Sequence, residues 1–391
     1  EYNLSKRLND YFVLIYIYNR MYKIILVCLM MTGAFAANLR PVFSERFEQW
    51  LDEFRVEIRD HEHKLHVFRN WVDNDKVIET TNSRNLTYTL GHNHFSGMDS
   101  NEFSQYMGFE YNAKQIFGRV NSGKIEEVKC LTGCVEAFDG ESKLSTVKCV
   151  KNCLRDNLDA TLTSTPASVN WVTAGGVTPV KDQGQCGSCW SFSTTGSLEG
   201  AFFVKYGKLH SFSEQQLVDC DNRKNGGKDM GCNGGLMDNA FEWIDKNNGL
   251  CTEADYPYTS GVTKTAGTCR TTCTLVDDSK VTTYTDVTAS SDSAMMAALA
   301  KQPVSIAIEA DQKEFQLYKS GVFTAACGTN LDHGVLVVGY GSLNGEDYYL
   351  VKNSWGTSWG AGGYIMLGRG SQYNSGNGQC GMLMQGSYPT V

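Results

Sequence analysis

The 391-residue chain predicts an α+β fold: two halves enclosing a cleft, with a helical region ahead of them. Three observations carry this. Apolar residues recur at helical spacing between 42 and 82, a Gly-rich texture with abundant Trp and Tyr sets in after Pro166, and short β-type runs gather between 303 and 367. At about 150 residues per domain, the length accommodates two or three folding units. Aromatic residues at 11% exclude a disordered or collagen-like chain. A net charge of −8 argues against a nucleic-acid binder, which would need a basic stripe.

Residue 1 is Glu and the first methionine is Met21. Met21-Tyr-Lys, the apolar run Ile24 to Phe35 and the small-x-small step Ala34-Phe35-Ala36 read as a secretory signal over 21–36, with residues 1–20 outside the natural protein. A membrane anchor joining Phe12–Tyr18 to the later run is the competing reading. Asn19, Arg20 and Lys23 interrupt it, so a stretch of about 20 apolar residues is lacking. The product is expected to be exported, soluble, free of membrane and able to form disulfides.

Phe47, Trp50, Leu51, Phe54 and Ile58 follow one helix behind a Ser44 cap. Leu65, Phe68, Trp71, Val72 and Ile78 follow a second. A Gly/Asn/His-rich turn occupies 91–97, and a short stretch leads to Phe109. The segment 121–156 carries two Cys-x-x-x-Cys repeats around Asp139-Gly140, which places each thiol pair on one face of a short helix. The hydroxyl-rich 160–166 reads as a linker. Beyond it, a helix is expected from Cys189 to Lys205, ended by Gly207. Strands are expected at 303–309, 335–339, 348–352 and 364–367.

Cysteine and histidine counting narrows the chemistry. Of 14 cysteines, Cys28 leaves with the signal. Cys130, Cys134, Cys149 and Cys153 form one set, and Cys186, Cys189, Cys220, Cys232, Cys251, Cys269, Cys273, Cys327 and Cys380 form another. The odd number in the second set leaves one thiol over in an oxidising compartment. Beyond the linker only His210 and His333 remain, and His333, opening an apolar β run, is the favoured base for an activated thiol. Cys189 begins a helix, where exposed N–H groups and the dipole stabilise a thiolate. Three other readings of this cysteine stand beside it: an inert buried residue, half of a Cys186/Cys189 redox pair, and a structural zinc ligand, whose usual spacing is not matched.

The run Gln183-Gly-Gln-Cys-Gly-Ser-Cys189-Trp190 resembles the active-site segment of papain-like cysteine proteases, nearest the cathepsin L group. Gly231-Cys-Asn-Gly-Gly235, Asp332-His333, Asn353-Ser-Trp-Gly356 and Gly362-Gly-Tyr364 continue the resemblance across 165–391. It implies a papain-like fold, with a helical half carrying Cys189 packed on a β-barrel half carrying His333 and Asn353. It implies Cys189 as nucleophile, His333 as base, Asn353 orienting the imidazole and Gln183 as an oxyanion donor beside the Cys189 main-chain N–H. Losing one such donor costs about 3–4 kcal/mol of transition-state stabilisation. Trp355 would shield the His–Asn bond, and Gly234 and Gly235 would meet substrate. The pocket for the side chain second before the scissile bond would be walled by Leu236, Met237, Ala307, Leu331 and Gly334, with Gln385 at its base. The resemblance pairs Cys186 with Cys232, Cys220 with Cys269 and Cys327 with Cys380, leaving Cys251 to Cys273. It calls for no cofactor and no metal.

The N-terminal region resembles the inhibitory prosegment of the same proteases over 37–109. Trp71, Asn74, Ile78 and Asn82 match the second half of its long-helix pattern, while His63 and Val67 depart from the first half. Gly91-x-Asn93-x-Phe95 matches the later turn, but Gly97 stands where an Asp is expected. His92 and His94 are the candidates for the missing switch. The 110–164 extension, with Cys130–Cys153 and Cys134–Cys149 stapling a hairpin, has no counterpart in the family pattern. Asn85-Leu-Thr87 is a glycosylation sequon. The expected product is a monomeric zymogen, extracellular or lysosomal/vacuolar, that cleaves protein and peptide substrates and uses its own prosegment as inhibitor. A disulfide oxidoreductase and a non-catalytic relative of the family are the rival classes.

Overall fold

Nine strands join into one sheet in the computed structural model, which describes residues 44–109 and 165–391. The signal, the first 20 residues and the 110–164 extension with its four cysteines lie outside the described residues. The strands are β1 (Tyr88–Leu90), β2 (Val169–Asn170), β3 (Thr283–Val287), β4 (Val304–Ile308), β5 (Tyr318–Phe323), β6 (His333–Leu343), β7 (Glu346–Lys352), β8 (Tyr364–Gly368) and β9 (Gly386–Thr390). Their order is β1-β5-β8-β7-β6-β4-β9-β3, with β2 paired to β6. Strand β6 is central, and its first nine residues are buried. Covered on both faces, it reads as a continuous apolar run rather than an alternation.

The chain divides into two compact units, one ending at Val72 and one beginning at Asp73. In the first, Phe47, Trp50, Val67 and Trp71 form an aromatic core. Its first helix spans 44–53, and Arg55 at φ 51° turns the chain away, so Ile58 lies outside it. The second helix, His61–Asn82, buries Val67 and leaves Leu65 at 42% exposure. Of the expected stripe, Trp71 and Ile78 are buried and Phe68 and Val72 pack on the aromatic core beside Phe47, whereas Leu65 faces outward and Val67 takes the inward position.

In the second unit, one core lies against the sheet around Phe315, Val337, Tyr349, Trp355 and Trp359. The other surrounds the helix Cys189–Tyr206 with Trp190, Phe212, Leu217, Phe241 and Trp243. That helix is buried from Cys189 to Phe202, so it is a central helix rather than a surface one. Gly207, at φ 67°, ends it in the left-handed conformation the sequence predicts. Among the described residues, disulfides join Cys186–Cys232, Cys220–Cys269, Cys251–Cys273 and Cys327–Cys380.

Five strands escape the sequence pattern. Strands β1, β2, β3, β5 and β9 are short or mixed in burial, and each is recruited by a partner distant in sequence. Strand β1 pairs with β5 across more than 200 residues. There Gly321 sits at φ 85°, and a Cβ on it would fall 2.3 Å from the Thr87 carbonyl oxygen, so the close approach needs glycine.

Candidate active site

Cys189 is the first residue of its helix, delivered by a loop that the Cys186–Cys232 disulfide pins. It is the free cysteine among the described residues and is fully buried. The Gly334 N–H donates to its Sγ at 3.3 Å. With Cys186 oxidised, Cys189 has no resolving thiol, which removes the redox-pair reading. The other candidate base, His210, packs on Phe202 near the far end of the helix, about 20 Å along the axis by helical rise.

His333 opens β6 immediately before Gly334. Its Nε2 lies 2.8 Å from Asn353 Oδ1, and the same Oδ1 accepts the Ser354 main-chain N–H at 2.8 Å. A main-chain N–H can only donate, so Oδ1 is the acceptor and Nε2 carries the proton. The lone pair is left on Nδ1, which is buried without a hydrogen-bond partner in the structure. Trp355 stacks on the imidazole at a centroid distance of 4.5 Å and covers the bond to Asn353.

Gln183 is wholly buried. Its Nε2 donates to the carbonyls of Cys186 at 2.9 Å and Tyr106 at 2.8 Å, while its Oε1 accepts from Ser354 Oγ at 2.7 Å. Two carbonyl acceptors settle the orientation of the amide. One proton is tied to the loop and the other points into the cleft.

That cleft is filled by the chain's own segment 106–109. The Gly235 N–H donates to the Gly108 carbonyl at 3.0 Å, and the Phe109 N–H donates to the Asp332 carbonyl at 3.0 Å. Phe109 joins the apolar cluster containing Leu236, Met237, Ala307 and Leu331, with Met384 packed beside it. Gly108 admits no side chain, because a Cβ would stand 1.8 Å from the Gly187 carbonyl oxygen. Gln385 sits at this wall through its main chain, its carbonyl accepting from Ala307 N–H at 3.1 Å. Gly234 closes the turn ahead of Gly235 at φ 117°. In the substrate that the papain-like resemblance implies, the residue entering this pocket would precede the carbonyl under attack. Here Phe109 follows the Tyr106 carbonyl, so the segment runs opposite to the direction of cleavage.

Upstream, Asn93 is buried, donating to the Gln316 carbonyl at 2.8 Å and accepting the Phe95 N–H at 2.9 Å. Gln316 returns a bond to the Phe95 carbonyl at 2.8 Å. Phe95 and Phe103 set their rings edge-on to Trp355 at 5.2 and 5.3 Å. Asn74 and Asn82 hold this turn and β1 by bonds to the Ser96 and Leu90 carbonyls. Asp99, beyond the aberrant Gly97, caps the helix Ser100–Ser104.

Burial sets the electrostatics of the site. Burial pushes the Cys189 thiol up to about 12 and pulls the His333 imidazole down to about 4, against a counter-effect from the Asn353 bond. Both shifts favour the uncharged forms. A charged thiolate–imidazolium pair is therefore disfavoured in this buried state. Burial also raises Asp332 to about 7.

Tyr106, Phe109, Ser354, Tyr258 and Met384 were not legible as site residues. Phe109 and Tyr106 lie at the end of a stretch without periodicity, and only the fold brings them to the nucleophile. Asn85 adopts φ 50° at an exposed turn before β1.

A buried cysteine beside a histidine–amide pair, covered by an upstream segment of the same chain, defines a latent thiol hydrolase. Comparison with known proteins identifies which one. The papain family cysteine protease pattern spans residues 165–390, and the cathepsin propeptide inhibitor domain spans 47–103. The chain belongs to the papain family of cysteine proteases. It is similar to the senescence-specific cysteine protease SAG39 of Oryza sativa subsp. indica, at 38% identity over 94% of this chain and 97% of that one. Recombinant stem bromelain precursor shares 35% identity at TM-score 0.70, covering 89% of this chain and 99% of its own. Digestive procathepsin L 3 of Tenebrio molitor larval midgut shares 32% at TM-score 0.68, over 89% and 99%. The protein is a cysteine endopeptidase carrying its own inhibitory propeptide domain, and proteins are its substrates.

Proposed function

We propose that Cys189 is the nucleophile, His333 the general base and acid, Asn353 the group that orients the imidazole, and Gln183 with the Cys189 main-chain N–H the oxyanion donors. Once segment 106–109 leaves, water and substrate enter, and the His333 Nδ1 lone pair takes the thiol proton. The sulfur then adds to the scissile carbonyl. The resulting oxyanion takes the place of the Tyr106 carbonyl oxygen on Gln183 Nε2. His333 passes its proton to the leaving amine, which departs as the C–N bond breaks and leaves a thioester. His333 next takes a proton from water, whose oxygen adds to the thioester; collapse expels the sulfur and releases the acid.

The observation that carries this reading is the tautomer of His333, whose Nε2–H is held by Asn353 while Nδ1 is left free, one residue from the N–H that contacts Cys189 Sγ. Leu236, Met237, Ala307, Leu331 and Gly334, with Gln385, bound the pocket for the side chain second before the scissile bond, and Gly234, Gly235 and Trp355 flank the bound chain. Mature enzyme begins near residue 165, after removal of a signal over 21–36 and a prosegment over 37–164. The enzyme works as a monomer in an extracellular or lysosomal/vacuolar compartment, without nucleic-acid or membrane partners. Asn85 is its glycosylation site.

The test is acid activation followed by thiol alkylation. Cys189→Ala should abolish peptide hydrolysis, His333→Ala should be nearly as severe, and His210→Ala should leave it largely intact. Full activity in Cys189→Ala would end the reading.

A further inference from the structure

We infer that Tyr258 is a positioning residue for the oxyanion site: its hydroxyl ties the main chain of Gln183 to the residue ahead of Cys189 and so sets the spacing of the two donors. The inference rests on the catalytic roles proposed above. Tyr258 Oη lies 2.8 Å from the Gln183 carbonyl oxygen and 2.7 Å from Ser188 Oγ. The phenol has one proton, and a carbonyl can only accept, so that proton belongs to Gln183. Ser188 therefore donates to Tyr258. Its alternative acceptor, the Cys186 carbonyl, is 3.5 Å away and already takes Gln183 Nε2 at 2.9 Å. A directed chain runs from Ser188 through Tyr258 to Gln183, spanning both oxyanion donors.

The anchor itself is rigid. Phe192 meets the Tyr258 ring edge-on at 4.9 Å. The Tyr258 N–H donates to Glu253 Oε1 at 2.7 Å, and the next two N–H groups, of Thr259 and Ser260, converge on Gln215 Oε1 at 2.7 and 2.9 Å. Gly261 closes the contact by accepting the Gln185 N–H at 3.1 Å. Gln183 is held at its other side by its own N–H to the Ser354 carbonyl at 2.8 Å. No other side-chain donor reaches the Gln183 carbonyl among the described residues. Removing the phenol oxygen would leave that carbonyl and the Ser188 hydroxyl without their partner. Oxyanion donors act by being aimed before the charge arrives, so small displacements there are felt in the transition state more than in substrate binding.

The experiment uses acid-activated enzyme made from the full chain. Tyr258→Phe should lower kcat for an amide substrate about tenfold with KM changed less than twofold, and weaken a peptide aldehyde, which forms a tetrahedral adduct on sulfur, by a similar factor. Alkylation of Cys189 by iodoacetamide, which builds no oxyanion, should change less than twofold. Ser188→Ala, which keeps the Tyr258–Gln183 bond, should cost about threefold in aldehyde affinity and also spare alkylation. It carries the test alone should Tyr258→Phe not fold. Unchanged kcat and aldehyde affinity in Tyr258→Phe, unchanged aldehyde affinity in Ser188→Ala, or alkylation falling in step with kcat, would overturn the inference. Wild-type hydrolysis that survives complete alkylation of Cys189 would instead overturn the catalytic reading beneath it.

Discussion

Gln183 Nε2 donates at 2.8 Å to the main-chain carbonyl oxygen of Tyr106. A donor proposed for the oxyanion is thus satisfied by a carbonyl from an upstream segment of the same chain, and the pocket three residues on is filled by Phe109. The segment borrows the binding contacts of a substrate while reversing its direction, so no scissile carbonyl is presented to sulfur in the productive sense.

Phe109 should be the chief anchor of the latent state within this segment. It is 8% exposed and shares one apolar cluster with Leu236 and Met237. Truncating a buried phenylalanine costs about 3–5 kcal/mol in a rigid core, and less at the rim of a cleft. Phe109→Ala should therefore let the zymogen hydrolyse a small fluorogenic peptide at neutral pH at least tenfold faster than the unchanged zymogen. Equal latency would place the anchor elsewhere.

The same pocket should select apolar side chains in substrates. Its walls are Leu236, Met237, Ala307 and Leu331, and it holds a phenyl ring in the latent form. A basic side chain would lose hydration there without gaining an ion pair, since Gln385 is uncharged. A peptide library on the activated enzyme should favour Phe and Leu over Arg at the second position before the cleaved bond. A preference for Arg would contradict the pocket assignment.

His94 should make propeptide docking sensitive to acid. Its Nδ1 lies 2.9 Å from Ser358 Oγ, and its ring lies against Phe95. Burial lowers it to about 4, opposed in part by the nearby Asp182 carboxylate. A histidine whose seated value lies below its free value contributes fully above about pH 6.5 and loses that contribution as pH falls toward 4. His92 instead lies 3.0 Å from Asp75, a neighbour within the same upstream region, so that pair does not depend on docking. His94→Gln should lower the midpoint pH of self-activation, whereas His92→Gln should leave it in place. An unchanged midpoint in His94→Gln would remove it from the mechanism.

The buried pair Asp221 and Asp229 should limit stability at neutral pH. Their carboxyls influence one another's protonation, and both Oδ2 atoms are buried without a hydrogen-bond partner in the structure. Desolvation raises Asp221 to about 6, and desolvation with the Asp221 charge raises Asp229 well above the usual carboxylate range. Folded values above the unfolded ones mean that stability is full below about pH 4 and is lost as pH rises through 6. The pair lies behind Leu236 and Asn239, since Asp229 Oδ1 accepts the Leu236 N–H at 3.1 Å and Asn239 Nδ2 at 2.8 Å. Asp229→Asn keeps that acceptor and supplies a donor to Asp221. It should stabilise the activated enzyme by about 2 kcal/mol at pH 8 and by little at pH 4. The check is denaturant unfolding at both pH values, and a gain that is equal at the two would contradict the shared-proton account.

Much of this protein is written locally. A helix opening on Cys189 and ended by Gly207, an apolar run opening on His333, and the odd cysteine of nine follow from residue types at short spacing, because capping, periodicity and pairing parity are local constraints. Separated motifs in order then specify the family, although none alone excludes a redox pair or an inert thiol. Tertiary structure decided the rest. The tautomer of His333 depends on a main-chain N–H that holds the Asn353 amide one way, 20 residues distant. Segment 106–109 has neither helical nor strand periodicity, and its course is set by hydrogen bonds to Gly235 and Asp332 more than a hundred residues downstream. The protonation preferences of Cys189 and His333 come from burial, a property of the assembled fold that no local pattern encodes.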